Sequence, residues 1–200
     1  MNDALKHTTL DLLRHGELDI PGIFCAPADA IVSKTGMDNL FKATDKQQWD
    51  VIISSPHNRC RIFSETLAQK NQTELSIDPR FKELDFGDWV GMKSDVIWKQ
   101  NKNKYQELWQ TPDDFIAPNG EAMRDFYSRV QTGLKDVLAE YKNQSILLVT
   151  HGGVIRSILS KALDIDSLSV LKFNIEYAHL TRLHYYADDQ FSLQFLGKNR

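Results

Sequence analysis

Three short apolar runs along the chain each end at a polar or glycine-containing turn. They cover residues 8–13, 51–55 and 145–150, and the first holds a single charged residue, Asp11. Apolar runs of this length, with Val and Ile prominent in the later two, are typical of strands buried on both faces of a sheet. The pattern therefore predicts three central strands.

Helical periodicity follows two of these runs. Apolar residues recur at helical spacing over residues 62–67 and 154–163, and a longer apolar stripe extends over residues 121–141. Because strands alternate with helices, we predict an α/β three-layer sandwich in which helices cover both faces of a mostly parallel central sheet. One sheet edge is predicted to be a hairpin, with strands at 180–186 and 191–196 and a turn at 187–190.

The segment from residue 86 to residue 119 fits this alternation least well. It contains three of the four Trp residues, together with Tyr105 and Phe115, and it ends in a stretch that holds prolines. A length of 200 residues favours one domain. We therefore predict a single domain over residues 1–200, with an insertion at about residues 90–118 that covers the sheet.

The charge pattern argues against two classes of partner. The chain has 24 Lys and Arg against 27 Asp and Glu, and these charges are mixed along the sequence. A broad basic face for nucleic acid is therefore not expected. The longest wholly aliphatic run, residues 146–149, is far shorter than the roughly 20 apolar residues of a membrane span. We expect neither nucleic acid nor a membrane as a partner.

The first ten residues lack the apolar stretch of a secretory signal, so we expect a cytoplasmic protein. The two cysteines, Cys25 and Cys60, are too few for a disulfide framework and lack the spacing of metal ligands. We expect both to be free thiols.

Cationic and imidazole side chains follow all three predicted central strands. Arg14 and His15 end the first run, Arg59 follows the second after a short turn, and His151 follows the third together with Gly152. Ligands of open α/β sheets bind outside the carboxyl ends of the strands, so these residues should converge on one rim. Guanidinium groups and the N–H groups of a helix N-terminus bind phosphate oxygens. The sequence therefore predicts a phosphoryl-binding site.

Each of these residues, taken alone, has a plainer explanation. A His after a strand is more often a hydrogen-bonded turn residue, and Arg59 is able to pair with a nearby carboxylate. Glu83 is equally able to form a surface ion pair with Lys82 or Arg80. However, Arg59 is expected in the first turn of a helix, where a cation opposes the helix dipole. This placement favours an anionic ligand beside it.

Four ordered segments contain these residues: 12–17 (LLRHGE), 54–60 (SSPHNRC), 83–89 (ELDFGDW) and 149–153 (VTHGG). They resemble the signature segments of the histidine phosphatase superfamily, the phosphoglycerate-mutase-like proteins, and the resemblance extends over most of the chain. Within that superfamily the chain looks most like the α-ribazole phosphatases of cobalamin biosynthesis. Further segments similar to those enzymes are residues 21–23 with Asp29 and Gly36, 109–112 and 118–121.

The resemblance implies a mechanism and a role for each matched residue. His15 would be the nucleophile and would form a phosphohistidine. The phosphoryl oxygens would be held by Arg14, Arg59 and His151, and Gly152 would lie at the same site. Glu83 would protonate the leaving alkoxide and then take a proton from the attacking water. Neither a metal nor a cofactor is expected.

The resemblance has two departures, and they concern the substrate. Leu18 stands where a hydroxyl residue is common, and Val90 stands where Glu is frequent. We also hypothesise that four aromatic residues form a wall over the pocket, suited to a leaving group such as the benzimidazole of α-ribazole 5′-phosphate. The alternative is that they only pack the insertion onto the sheet. These residues are Trp98, Tyr105, Trp109 and Phe115.

Three functions remain open from the sequence. The first is hydrolysis of α-ribazole 5′-phosphate or of the corresponding cobalamin 5′-phosphate. The second is a phosphatase of other or broad specificity, or a phosphoglycerate mutase, although the short interval between Glu83 and His151 favours hydrolysis. The third is a non-catalytic phospholigand-binding module. It is disfavoured because binding alone requires neither the nucleophile His15 nor the acid Glu83.

Overall fold

A six-stranded sheet lies at the centre of the protein. The structure is a computed structural model, and it describes residues 6–20, 22–186 and 189–198. The strands lie in the order β3-β2-β4-β1-β5-β6. The neighbours from β3 to β1 are parallel, whereas β5 is antiparallel to both of its neighbours, β1 and β6. The strands are β1 (Thr8–Arg14), β2 (Val51–Ser54), β3 (Glu74–Ile77), β4 (Ser145–Thr150), β5 (Leu180–Tyr185) and β6 (Phe191–Lys198).

This topology confirms the predicted mostly parallel sheet with a hairpin at one edge. Residues 187 and 188 of the predicted hairpin turn lie outside the described residues, as does residue 21 of the segment 21–23. The short edge strand β3 was not predicted from the sequence. Its four residues are only half-buried or exposed and include Glu74 and Ser76, so they form no apolar run.

Helices cover both faces of the sheet, as predicted. The long helix expected over residues 121–141 extends from Met123 to Glu140, whereas α1, which buries few side chains, was not predicted. Short 3₁₀ turns occur at Pro79–Phe81, Gly87–Trp89 and Pro112–Asp114. The helices are α1 (Lys34–Thr44), α2 (Asn58–Asn71), α3 (Ser94–Gln110), α4 (Met123–Glu140), α5 (Gly152–Leu163) and α6 (Ser167–Val170).

Alternation of side chains along the strands divides the core into two layers. In β4, Ile146 and Leu148 pack with α4 and α5, whereas Leu147 and Val149 pack with α1 and α2. All four side chains are at most 1% exposed. Burial on both faces explains why the central strands are continuous apolar runs rather than alternating ones.

The one charge in β1 is buried and fully paired. The Asp11 carboxylate accepts hydrogen bonds from Trp49 Nε1 at 2.8 Å and from Arg182 Nε and Nη2 at 2.8 and 2.7 Å. A buried carboxylate without such partners would be strongly destabilising. These bonds tie β1, which carries Arg14 at its end, to the neighbouring strand β5 and to the loop before β2.

Residues 90–118, the expected insertion, form α3 and the third 3₁₀ turn. Ile97 and Leu108 of α3 are buried in the core layer that contains α4 and α5. The segment is therefore packed against this layer over both of its halves, and its C-terminal end approaches the carboxyl edge of the sheet. None of the helices within the described ranges is long and apolar enough to span a membrane.

Candidate active site

The central strands β1, β2 and β4 end level with one another. Arg14 at the end of β1 pairs in register with Thr150 at the end of β4, and Ser54 of β2 pairs with Val149. The residues that follow these strands therefore meet at one edge of the sheet, as the sequence predicted. Four of the predicted site residues line one small cavity there, of about 80 Å³: Arg14, His15, Arg59 and Glu83.

The ring of His15 is oriented by the backbone. Its Nδ1 lies 2.9 Å from the carbonyl oxygen of Gly16. A carbonyl only accepts hydrogen bonds, so Nδ1 carries the proton and Nε2 keeps its lone pair. The ring also lies between His151 and Tyr177, with centroid distances of 5.3 and 5.4 Å. The orientation leaves Nε2 unprotonated, as the nucleophilic role implied by the family resemblance requires.

Burial and charge keep His15 neutral. Burial first, and then the positive charges of Arg59 and Arg14, lower the pKa of His15 well below its usual value of 6.5. A protonated imidazole has no lone pair at Nε2 with which to attack phosphorus. The environment therefore favours the reactive form of the ring at neutral pH.

Arg14 has a donor that no protein group satisfies. Its Nη1 donates to the carbonyl of Ile175 at 2.5 Å, and its guanidinium lies 4.0 Å from the centre of the Tyr177 ring. Its Nε is buried and has no hydrogen-bond partner among the described residues. Buried N–H groups are rarely left unpaired, so this one fits an acceptor oxygen of a ligand.

Arg59 and His151 form a buried relay of hydrogen bonds. Arg59 Nε donates to His151 Nδ1 at 3.3 Å, and the opposite nitrogen of His151, Nε2, lies 2.8 Å from Ser55 Oγ. Arg59 Nη1 donates to the carbonyl of Pro27 at 2.8 Å. Over the described ranges, Arg59 has no carboxylate within ion-pair distance. The plainer explanation of Arg59 as half of an ion pair is therefore wrong.

The accepting Nδ1 of His151 implies a neutral ring with its proton on Nε2. Burial, followed by the charge of Arg59, lowers the pKa of this His well below 6.5, in agreement with that tautomer. His151 is completely buried. His151 lies beside His15 but does not line the small cavity, and the contact that it makes to Arg59 is an orienting one.

Glu83 lines the same cavity as His15, lies on a loop and is held by backbone N–H groups. Gly153 N donates to its Oε2 at 3.1 Å, and Leu84 N donates to its Oε1 at 3.2 Å. A Cβ atom at position 153 would overlap the Glu83 carboxylate, so a side chain there would displace it. Arg80 pairs with Asp78 and Asp136 instead of with Glu83. Glu83 is therefore free to act within the cavity.

A second, larger cavity of about 190 Å³ adjoins the first, because Arg14 and Glu83 line both. Gly152, Gly153 and Arg156 of α5 also line it. The remaining lining is largely apolar and aromatic, and includes Phe24, Phe86, Trp109, Phe126 and Tyr127. The arrangement provides a cationic pocket next to a cleft suited to an apolar group.

Of the four residues expected to form the aromatic wall, only Trp109 lines this cavity. Phe115 is completely buried and packs against Trp89, so it does not reach the cavity and the expectation for it is corrected. Tyr105 packs against Trp89, while Trp98 is 42% exposed and contacts Tyr105. These three residues support α3 instead of facing the cavity.

Several residues at the site were not predicted from the sequence. Tyr177 precedes β5, and because β5 is antiparallel, it starts at the edge where the parallel strands end. Arg156 lies one helical turn after Gly152, a spacing that would have indicated it. The loop residue Phe24 gave no such signal.

His57 also lies near the site, with its ring centroid 5.1 Å from that of His151. Burial, followed by the charge of Arg59, lowers the pKa of His57 to about 4, so this residue adds no positive charge at neutral pH.

The two departures from the family pattern have different locations. Leu18 lines the small cavity beside His15, so an apolar side chain borders the phosphoryl pocket. Val90 lines a separate cavity of about 220 Å³, which Glu83 also lines.

Cys25 and Cys60 are free and buried, and burial raises the pKa of each thiol to about 12. Within the described part of the chain, no cluster of three or more His, Cys, Asp or Glu is arranged to hold a metal ion.

Comparison with known proteins gives consistent matches. The family model described as "Histidine phosphatase superfamily (branch 1)" matches residues 10–198. Phosphoserine phosphatase 1 of Hydrogenobacter thermophilus is 24% identical, over 88% of this chain and 85% of its own. The adenosylcobalamin/α-ribazole phosphatase of Escherichia coli is 23% identical, over 82% and 84%. The crystal structure of the α-ribazole phosphatase from Shigella flexneri superimposes with a TM-score of 0.84 at 21% identity, covering 96% of each chain.

The position of Gly153 leads to a first prediction. Gly153→Ala should lower kcat/KM for a phosphate ester on the order of 100-fold. The new methyl group displaces the Glu83 carboxylate from its position in the cavity that it shares with His15. The midpoint of thermal unfolding should not fall, because Ala is a better helix former than Gly in α5. Wild-type kcat/KM in this variant would show that the position of Glu83 is not critical.

The protonation of His15 is measurable directly. In ¹⁵N-histidine-labelled protein, the resonances of His15, assigned by their loss in His15→Ala, should show a neutral ring with protonated Nδ1. Because burial and the two Arg residues lower the pKa, this form should persist as the pH falls through 6.5. A titration midpoint at or above pH 6.5 in the phosphate-free protein would contradict the geometry.

Proposed function

The chain belongs to the histidine phosphatase superfamily (branch 1), and on that premise we propose that it is a metal-independent phosphomonoesterase that acts through a phosphohistidine. The observation that carries the proposal is the neutral His15, whose unprotonated Nε2 shares one cavity with Arg14, Arg59 and Glu83. A nucleophile, two cationic groups and a carboxyl acid are the components that this reaction requires.

In the first step, the lone pair of His15 Nε2 attacks phosphorus while the bond from phosphorus to the leaving oxygen breaks. Arg14 and Arg59 stabilise the charge on the non-bridging oxygens, and the unpaired Nε of Arg14 is one donor for them. Glu83, in its protonated form, gives its proton to the leaving oxygen. The products are a phosphohistidine and the free alcohol.

In the second step, water takes the place of the alcohol. The ionised Glu83 accepts a proton from the water, whose oxygen attacks phosphorus as the bond to Nε2 breaks. Inorganic phosphate is released and His15 returns to its neutral form. His151 contributes by holding Arg59 through their hydrogen bond. The phosphate contact that the family resemblance implies for His151 is not part of this step, because its two ring nitrogens are engaged by Arg59 and Ser55.

For the substrate, we propose a small-molecule phosphate ester whose leaving group carries a flat apolar ring, namely α-ribazole 5′-phosphate or the corresponding cobalamin 5′-phosphate. The aromatic lining of the second cavity, with Trp109 at one side, supports this choice. The Escherichia coli relative is named an adenosylcobalamin/α-ribazole phosphatase, and this name supports the same substrate. Neither nucleic acid nor a membrane is required by such a substrate.

A second substrate class is favoured by Arg156. This guanidinium lines the same cavity, donates to the carbonyl of Phe173, and has no ion-pair partner in the described ranges. A leaving group that carries a carboxylate would neutralise it. Phosphoserine is such an ester, and the Hydrogenobacter relative is named for it.

A rate comparison tests both the chemistry and the substrate. Purified protein, without added metal, should hydrolyse α-ribazole 5′-phosphate with a kcat/KM at least ~100-fold above that for phosphoserine, 3-phosphoglycerate and an aryl phosphate, about 2.7 kcal/mol of differential transition-state binding. His15→Ala should abolish all four rates. A preference for phosphoserine would favour the second class, and substantial turnover by His15→Ala would refute the covalent mechanism.

The role of Trp109 is tested against a matched exposed residue of the same helix. Trp109→Ala should lower kcat/KM for α-ribazole 5′-phosphate by about 10-fold relative to a small aryl phosphate, because the aromatic contact of the cavity is lost. Trp98→Ala, which removes an exposed ring outside the cavity, should change this ratio little. Equal ratios in both variants would exclude Trp109 from substrate recognition.

A further inference from the structure

The placement of Glu83 depends on its backbone. Its carboxylate is held by the N–H groups of Leu84 and Gly153, and no side chain among the described residues donates to it. Residues 82–86 belong to no helix or strand, and they lie between two short 3₁₀ turns. A loop of this kind is unable to satisfy its own carbonyl groups in the way that a helix or sheet does. Another part of the protein must hold the segment in place.

Arg129, near the middle of α4, supplies the donors for this loop. Its Nη1 donates to the carbonyls of Arg80 and Lys82 at 2.6 and 2.8 Å, and its Nη2 donates to the carbonyl of Glu83 itself at 3.1 Å. Three carbonyls within four residues are therefore bound to one guanidinium group. This group is rigid and planar, so it fixes the three carbonyls relative to one another.

Glu121 completes the arrangement. It accepts Arg129 Nε at 2.6 Å and Nη2 at 2.8 Å, and both side chains are only 17% exposed. All five N–H donors of Arg129 are thus used, one for each acceptor. Glu121 also contacts the loop beyond Glu83, because its Oε2 accepts Asp85 N at 3.3 Å and its backbone N–H donates to the Asp85 carbonyl at 2.9 Å.

We propose that Arg129, together with Glu121, is a positioning residue for the proton transfer by Glu83. The two residues bind the loop on both sides of Glu83 and so hold its carboxyl group at the leaving oxygen. The inference rests on the proposed function, in which Glu83 is the general acid. Arg129 itself lines neither the small cavity of about 80 Å³ that contains His15 nor the adjoining cavity of about 190 Å³.

This role differs from a purely structural one in a measurable way. A misplaced general acid slows the loss of a leaving group that needs a proton, but it has little effect on one that departs as a stable anion. Loss of structure would lower the rates of both esters by the same factor. Phenyl phosphate and 2,4-dinitrophenyl phosphate are a matched pair of probes, because both are aryl esters and only the first needs the proton.

The experiment compares kcat/KM for these two esters, since this parameter includes the step in which the leaving group departs. Arg129→Lys keeps the charge but has three donors in place of five. It should lower kcat/KM for phenyl phosphate by about 30-fold and that for 2,4-dinitrophenyl phosphate by less than about 3-fold. Glu121→Gln should lower the ratio of kcat/KM for phenyl phosphate to that for 2,4-dinitrophenyl phosphate as well. If Arg129→Lys does not fold, the Glu121→Gln result decides the question.

Two controls separate the possible failures. Arg124→Lys alters an exposed Arg on the same helix, paired with Asp114, and should leave the ratio unchanged. Glu83→Gln should shift the ratio more than Arg129→Lys does. If Glu83→Gln leaves the ratio unchanged, Glu83 is not the acid, and the proposed mechanism and this inference both fail. If only Glu83→Gln shifts the ratio, or if Arg129→Lys lowers both rates equally, the positioning role alone is overturned.

Discussion

The burial of a neutral imidazole, His15, in one cavity with two guanidinium groups is the interaction on which the rest of the site depends. Arg14 and Arg59 donate to backbone carbonyls and to His151, the Nε of Arg14 has no acceptor among the described residues, and no carboxylate there pairs with either guanidinium. The pocket therefore keeps an excess of positive charge while His15 stays unprotonated. Such a field favours a phosphoryl group and leaves the nucleophile beside it reactive.

The fold provides this field through the ends of its strands. Three parallel strands that end level bring their following residues together, and the segment that precedes the antiparallel strand β5 adds Tyr177, which stacks on Arg14. Helix α5 begins at the same edge and contributes the N–H of Gly153 to Glu83. Glu83 comes from a loop instead of a strand end, so its position requires the contacts from α4 that the other site residues do not need.

The sequence predicted those parts of the structure that local pattern determines. The buried central strands and α4 were predicted because each buries a continuous or periodic set of apolar side chains. Strand β3 was missed because it is short and half-exposed. Arg14, His15 and Arg59 could be placed at one edge from their positions after predicted parallel strands, whereas Glu83 could be placed only through the family resemblance. The burial of Phe115 depends on Trp89 and Phe86 packed around it, which no pattern within its own segment indicates.

The most direct test of the account is to trap the covalent intermediate. Protein quenched during turnover under alkaline conditions, where phosphohistidine survives, would be digested and the modified peptide sequenced by mass spectrometry. The account predicts one phosphoryl group on His15, attached through Nε2, because Nδ1 is hydrogen-bonded to the carbonyl of Gly16. Steady turnover with no phosphorylated His15, or with the phosphoryl group on another residue, would contradict it.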